Sequence, residues 1–452
     1  MDLLIKSPAF LLMFVLFANY GHSQSYIGNT IDNYSGVHSL LLNPANVVGS
    51  KTRFELNILS ASAFVGNDYL SVDFTDFKNM SDGFSFDSDV EKTPTETNNF
   101  FGNVDLIGPS IMFRLNEKSS VGISTRVRTF FNLHNISGLF YESISEGFDS
   151  QSDFQAEMEN LSGNIHAWGE FGLTYGRIIL DDESRRLKIG TTLKYLGGAG
   201  GLFTSSPQLS AAFNSNTKIL ATGGSLDYGY TSGFDTEDIK FTDFTGGFGA
   251  DIGVVYELRS KNHYPVDSVY SQKPYKLRFG ISVADIGAIN YKEVSEFSYN
   301  LNGSVDVAEF DEKDLEELLN DNYQGTEVTG NKSLGLPTSL QAFVDYSVSK
   351  KFFLSLHGAY SLRSASTFNV NNIINTLSVT PRFESKWISI YSPLSLRQFQ
   401  SGILWGVGLR TGPFMIGSGS VLSNLLSSSS KSTDVFIGLK VPIFKNKARN
   451  FK

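Results

Sequence analysis

Arg126, Arg128, Lys188, Lys194, Asp251, Glu257, Lys276 and Arg278 each stand within an alternating apolar stretch, and their charge must be put to some use there. Such charges either pair with one another inside the protein or line a path that holds water; a dry core does not tolerate them unpaired. Other chemistry is sparse. The histidines at 22, 38, 134, 166, 263 and 357 are dispersed. No H-E-x-x-H pair is present to bind zinc, and no G-x-S-x-G elbow to present a serine. The sequence has no cysteine, which excludes disulfides, thiolate zinc sites and a cysteine nucleophile. Gly49-Ser50-Lys51-Thr52 lacks the glycine spacing of a phosphate loop. Gly197-Gly198-Ala199-Gly200-Gly201 lacks the dinucleotide pattern and reads as a flexible loop or a place of close packing. The carboxylates of 73–91 could offer oxygen ligands to calcium, but without an EF-hand pattern they read as a solvated acidic loop. These residues predict neither an enzyme, a metal site nor a cofactor. A net charge of −9 argues against nucleic acid as a partner.

The elements that hold those charges repeat with a period of two. Val121, Ile123, Thr125 and Val127 alternate with Gly122, Ser124, Arg126 and Arg128; Leu187, Ile189, Thr191, Leu193 and Tyr195 with Lys188, Gly190, Thr192 and Lys194. Phe248 to Glu257, Lys276 to Val283 and Lys351 to Ser361 repeat the scheme. Successive strand side chains point to opposite faces, so one face is apolar and the other small, polar or charged. A soluble sandwich would bury the apolar face; a transmembrane barrel would turn it to lipid and close the polar face around a lumen. The barrel is favoured by segments of about ten residues, the length that crosses a bilayer at a tilt, by aromatics at segment ends, and by charge on the inward face. Only 18% of the residues are charged, below the quarter usual in soluble domains.

An all-β fold therefore follows: a transmembrane antiparallel β-barrel of about 14 strands. Omitting weak segments near 221–231 and 413–419 gives 14 strands, while 16 remains open. Tight connections are expected at 116–118, 181–185, 349–350 and 384–386, and long ones at 131–165, 198–221, 259–274, 301–335 and 362–376. Residues 307–323 read as a solvated loop helix with Leu315, Leu318 and Leu319 on one face.

The ends have their own content. Residues 1–23 read as a signal peptide, with an apolar Pro8 to Ala18 run and a small-x-small site before Gln24. The run is too short to span a bilayer as a helix. Residues 24–52 form an N-terminal plug or hatch segment, 53–444 the barrel, and 445–452 a basic periplasmic tail. Within the first of these, Pro44 confines Asn43 to an extended or turn conformation, which breaks the helical reading.

Leu41-Leu42-Asn43-Pro44-Ala45 resembles the N-terminal signature of the FadL-like, long-chain fatty-acid transporter superfamily of outer-membrane barrels. Tyr34 to Leu40, Gly280 to Gly287, Ser378 to Phe383 and Gly412 to Gly417 are similar to uncharacterised Bacteroidota barrels within that group. The resemblance covers almost the whole mature chain. It implies an integral protein of a Gram-negative outer membrane, with Asn43, Pro44 and Ala45 as plug or hatch residues. It implies passive transport of small, hydrophobic molecules, with a lumenal plug gating the path. The alternative it carries is a non-conducting accessory barrel in a secretion or assembly complex, as in the shuttle barrel of the type IX secretion system. Expected partners are outer-membrane lipid, a small hydrophobic ligand or an outer-membrane protein, and the barrel-assembly machinery during biogenesis. Phe436 to Phe444 resembles the aromatic-ended signal read by that machinery, although Pro442 interrupts it.

Overall fold

The computed structural model describes residues 26–74, 90–148, 152–232, 244–259, 275–364 and 369–444. The expected signal peptide, most of the acidic 73–91 stretch and the basic tail lie outside them. The described residues form a closed barrel of fourteen antiparallel strands. In chain order these are β1 (Thr52–Asn67), β2 (Asn98–Ile107 and Ser110–Arg114), β3 (Ser119–Ile136), β4 (Phe154–Asp181) and β5 (Arg185–Asn214). Next come β6 (Ile219–Tyr230 and Thr245–Arg259), β7 (Tyr275–Asn300), β8 (Gln324–Gly335 and Ser339–Ser347), β9 (Phe352–Ser361) and β10 (Thr376–Glu384). The last are β11 (Ile388–Tyr391 and Leu394–Arg397), β12 (Leu404–Trp405 and Val407–Thr411), β13 (Phe414–Ser418) and β14 (Ser432–Phe444). Closure comes from β1 on β14, with Thr52 opposite Phe444 and Gly66 opposite Ser432. A closed sheet has no edge, so its paired backbone needs no water.

The alternation places the two faces inside out relative to a soluble protein. Outward residues are apolar and bare: Phe248 is 76% exposed, Leu193 62% and Ile252 51%. Inward charges are covered: Lys188 is 3% exposed and Arg128 4%. A bare apolar belt around a covered polar interior is the exterior of a protein whose surroundings are lipid. Aromatics ring the belt at two levels. Tyr195 and Phe248 meet at 5.8 Å on one; Tyr256–Phe279 (5.3 Å), Phe352–Phe383 (5.2 Å) and Trp387–Phe444 (5.7 Å) lie on the other. Phe248 and Tyr256 bracket about eight residues of β6, which at ~3.3 Å each and ~40° of tilt is on the order of 20 Å of belt height. Among the described residues no helix is long and apolar enough to cross a membrane.

Tight turns cluster at the end that also carries Thr52 and Phe444, the first residue of β1 and the last of β14. At 182–184, Ser184 and Arg185 N–H groups donate to Asp182 Oδ1 (both 2.9 Å). The Arg185 side chain donates to Oδ2 (2.8 Å), and that bond holds the carboxyl below its usual range.

Several expected connections differ. Residues 198–214 are strand rather than loop, and the turn is confined to 215–218. β4 and β5 reach 28 and 30 residues, so their hairpin rises well past the upper aromatic level. The 260–274 connection, which lies outside the described residues, joins Arg259 to Tyr275; these two pair at the tight-turn end, not at the end of the long loops. Both weak segments are strands. Ile219–Tyr230 is the upper half of β6, laid along upper β5, and Thr245–Arg259 continues it along lower β5. The count of fourteen thus holds with other members. Pro442, opposite Glu55, does not end β14, which runs on to Phe444 opposite Thr52.

The upper extension has its own dry core. Phe154, Met158, Leu209, Phe213, Tyr228 and Phe297 turn inward there against the loop helices α1 (Gly138–Glu146) and α2 (Leu315–Asn322). Leu319 is buried in it with Leu315 packed against it, and Leu318 is buried as well, so the 307–323 segment is packed rather than solvated.

Candidate functional site

Residues 26–50 lie inside the lower barrel. Asn43 is extended (φ −163°, ψ 121°), as a residue before proline must be, and its Oδ1 accepts from the Ala45 N–H at 2.9 Å. This caps the turn Pro44–Val47, with proline at the first position where its missing donor costs nothing. The other end of the same amide grips the wall. Asn43 Nδ2 donates to the carbonyls of Ile281 (2.9 Å) and Val254 (3.2 Å). Ser282 donates to the Leu42 carbonyl at 2.7 Å. The turn sits against bare backbone: a Cβ at Gly253 would overlap the Asn43 amide, and one at Gly190 would overlap Pro44 and Ala45.

The rest of the segment is tied by charge around the circumference. Arg410 reaches Asp32 (3.1 Å), and Lys440 donates to the Ser35 carbonyl (2.7 Å) and faces Glu55 (3.4 Å). Glu55 accepts from the Val37 N–H (2.9 Å). Arg278 donates to the Ile31 carbonyl (2.8 Å), and Asn33 to Glu384 (2.8 Å).

Above this floor runs a belt of ion pairs. Arg126 binds Asp105 through two nitrogens and approaches Glu170 at 3.8 Å. Arg128 bridges Glu170 (3.1 Å) and Asp285 (2.8 Å). Lys194 bridges Asp285 (2.6 Å) and Asp251 (2.8 Å). The Trp168 indole donates to Glu170 at 2.8 Å.

The structure therefore gathers Arg126, Arg128, Lys194 and Asp251 in one network. Lys188 and Glu257 pair lower down at 2.7 Å. Arg278 joins Asp345 (2.8 Å), which also holds Arg382 (3.0 Å). Lys276 stands apart from all of these. A register shift between β6 and β7 leaves it without a partner on β6, and its amine donates to the Ser347 carbonyl (2.8 Å) above the Tyr346 ring (4.3 Å).

Sequence reading missed Asp105, Glu170 and Asp285, and it missed the roof. The stretch 369–375 enters the lumen from the upper end. The Asn372 N–H donates to Asn132 Oδ1 (2.9 Å), and Asn132 Nδ2 donates back to the Asn372 carbonyl (3.1 Å). Asn371 spans to Asn132 (2.9 Å) and to the Asn164 carbonyl (3.1 Å). The asparagine-rich run Asn369 to Asn375 was the available signal.

Between floor and roof lies a cavity of about 150 Å³. Leu40 and Leu41 lie at its base, and Asn372 and Ile373 at its top. Phe64 and Phe101 form an apolar side; Arg126, Glu170, Lys194 and Asp251 form a charged one. The glycine run serves the wall beside it. A side chain at Gly198 would overlap the Tyr291 ring, whose hydroxyl meets His166 Nε2 at 3.0 Å. Close packing, not a flexible loop, explains those glycines.

A lipid-facing closed barrel with an internal segment and a lumenal cavity defines a class, the transmembrane β-barrels. Within it the chain belongs to the family of unknown function DUF5723, which it matches over residues 44–419. Among solved structures it is similar to the toluene transporter TodX of P. putida, at 10% identity over 91% of this chain and 95% of that one, with a TM-score of 0.46. It is similar to the Ralstonia pickettii toluene transporter TbuX at 9% identity over 91% and 94%, TM-score 0.43. A Pseudomonas aeruginosa FadL homologue gives 11% identity over 94% and 96%, TM-score 0.42. A search of curated proteins finds no match.

Proposed function

We propose that this chain is an outer-membrane barrel that passes a small solute through the cavity, with residues 26–50 as plug and 369–375 as upper gate. The observation that carries the reading is the cavity itself, bounded below and above by two internal segments of the same chain. A purely structural barrel has no need of a void between two constrictions, because voids forfeit packing. Asn43, Pro44 and Ala45 form the part of the plug that touches β6, β7 and β5, so they are the hinge at which it yields. The test is uptake into liposomes holding the purified protein, beside single-channel recording. Wild-type protein is expected to pass small solutes while showing low ionic conductance. Deletion of 26–50 is expected to raise conductance at least tenfold. Uptake no faster than into empty liposomes would overturn the reading.

One observation favours a second reading, a non-conducting accessory barrel. The floor is fastened to strands around the wall by the buried Asp32–Arg410 ion pair and by hydrogen bonds to the buried charged side chains of Lys440, Glu55, Arg278 and Glu384, and stranding a buried charge is costly. Co-purification of a stoichiometric membrane partner, with no permeability to any solute, is the result that reading requires.

A further inference from the structure

The ion-pair network on the charged side of the cavity holds one carboxylate more than it has cations, because Asp105, outside the cavity lining, occupies Arg126. Arg126 takes Asp105 as a bidentate partner. Beyond that pair, the network alternates Glu170, Arg128, Asp285, Lys194, Asp251. That is three carboxylates to two cations among the described residues. Glu170 and Asp285 spend both oxygens: Glu170 Oε1 on Arg128 and Trp168 and Oε2 toward Arg126 and Lys194, Asp285 Oδ1 on Lys194 and Oδ2 on Arg128. Asp251, at the end of the run, does not. Its Oδ1 alone accepts both Lys194 (2.8 Å) and the Asp285 N–H (2.8 Å). Oδ2 has no partner, yet it is not among the polar atoms sealed from solvent. Asp251 as a whole is 7% exposed and lines the cavity, so the cavity is where Oδ2 emerges.

We infer that the cavity takes a small organic cation, an amine bearing a compact apolar body, with its ammonium on Asp251 Oδ2. The excess carboxylate supplies charge compensation, and an N⁺–H···O⁻ bond is the strong kind of polar contact. Phe64, Phe101 and Phe130 line the same cavity; aromatic faces suit both an apolar body and a neighbouring cation. The volume fits a ligand of one ring, since a cavity of ~150 Å³ holds benzene. An anion would add charge to a site already in carboxylate excess. A neutral hydrocarbon would leave the imbalance as it stands.

This rests on the cavity being a solute site, and equilibrium binding tests it apart from passage. Benzylammonium, benzyl alcohol and benzoate share a shape and differ in charge. Each is titrated calorimetrically into the full-length protein in detergent micelles, with empty micelles subtracted. Benzylammonium is expected to bind at least tenfold more tightly than benzyl alcohol, and benzoate more weakly than either. In Asp251→Asn the preference for benzylammonium over benzyl alcohol should disappear. Equal affinities, a preference for benzoate, or an ammonium preference that survives in Asp251→Asn would overturn the inference. The charge series on unaltered protein decides the matter even where the variant fails to fold. Ammonium binding without liposome uptake would remove the transport reading and leave this one standing. Uptake of neutral solutes without ammonium preference would do the reverse.

Discussion

Asp285 makes two of the belt's ion pairs from a position that simple alternation would give to lipid. Arg278, Gly280 and Ser282 point inward along β7, so Asp285 is out of phase by one. The backbone corrects this with a bulge. Ala250 pairs with Ile286 and Ile252 with Val283, and Asp285 takes φ +58° in the left-handed region. A bulge re-aims a side chain, and an aspartate tolerates that conformation better than most residues. Such a reversal is invisible to a period-two count, which is why Asp285 was not legible while Arg126, Arg128, Lys194 and Asp251 were. Glu170 shows the other limit. Its parity beside Phe171, Leu173 and Tyr175 was readable, but which charges meet depends on register between strands, and no single segment carries that. Asp285→Ala should leave Arg128 and Lys194 each short of a buried partner. Loss of one member of a buried pair costs about 3–5 kcal/mol, so the variant should unfold at clearly lower urea in vesicles. Restoring a carboxylate with Asp285→Glu should recover part of that loss.

At the scale of elements, the internal segment and the wall were built for one another. The Asn-Pro-Ala turn needs a floor without side chains, and Gly190 and Gly253 supply it from β5 and β6. The sequence showed the turn and the strands but not their contact, because residues so far apart in the chain are joined only by closure of the barrel. Gly190→Val should push Pro44 and Ala45 away while leaving the strands paired. The expected outcome is a barrel with normal heat-modifiable gel mobility and raised ionic conductance; unchanged conductance would show that the turn does not bear on the path. Strand length was less legible than strand identity. β4 and β5 keep alternating beyond the belt, but there the buried side is apolar (Met158, Leu209, Phe213), because upper strands pack on α1 and α2 instead of enclosing charge. Period two marks a strand without marking where the membrane stops.

For the whole molecule, the deciding quantity is which side of the wall is bare. Composition and alternation made a membrane barrel readable, and the strand number emerged because each tight turn returns the chain to one end. What they could not give was that β6 is one strand in two halves. Its interruption at 231–244 reads like a loop between two strands, and only register on β5 shows that Thr231 and Thr245 continue a single line. The belt makes a prediction that depends on lipid alone. Ile252 is 51% exposed, lies between Phe248 and Tyr256 on β6, and faces away from every charge of the lumen. In a water-soluble protein, an arginine at so open a site would be nearly silent. At the midplane of a bilayer it costs about 2–4 kcal/mol, falling toward zero near the interfaces. Ile252→Arg should therefore destabilise the folded protein in phospholipid vesicles by that amount, and the same change at Phe248, near the upper aromatic level, by less. Equal and negligible effects at both positions would mean that the apolar belt does not meet lipid, and that the barrel reading, with the path it encloses, is wrong.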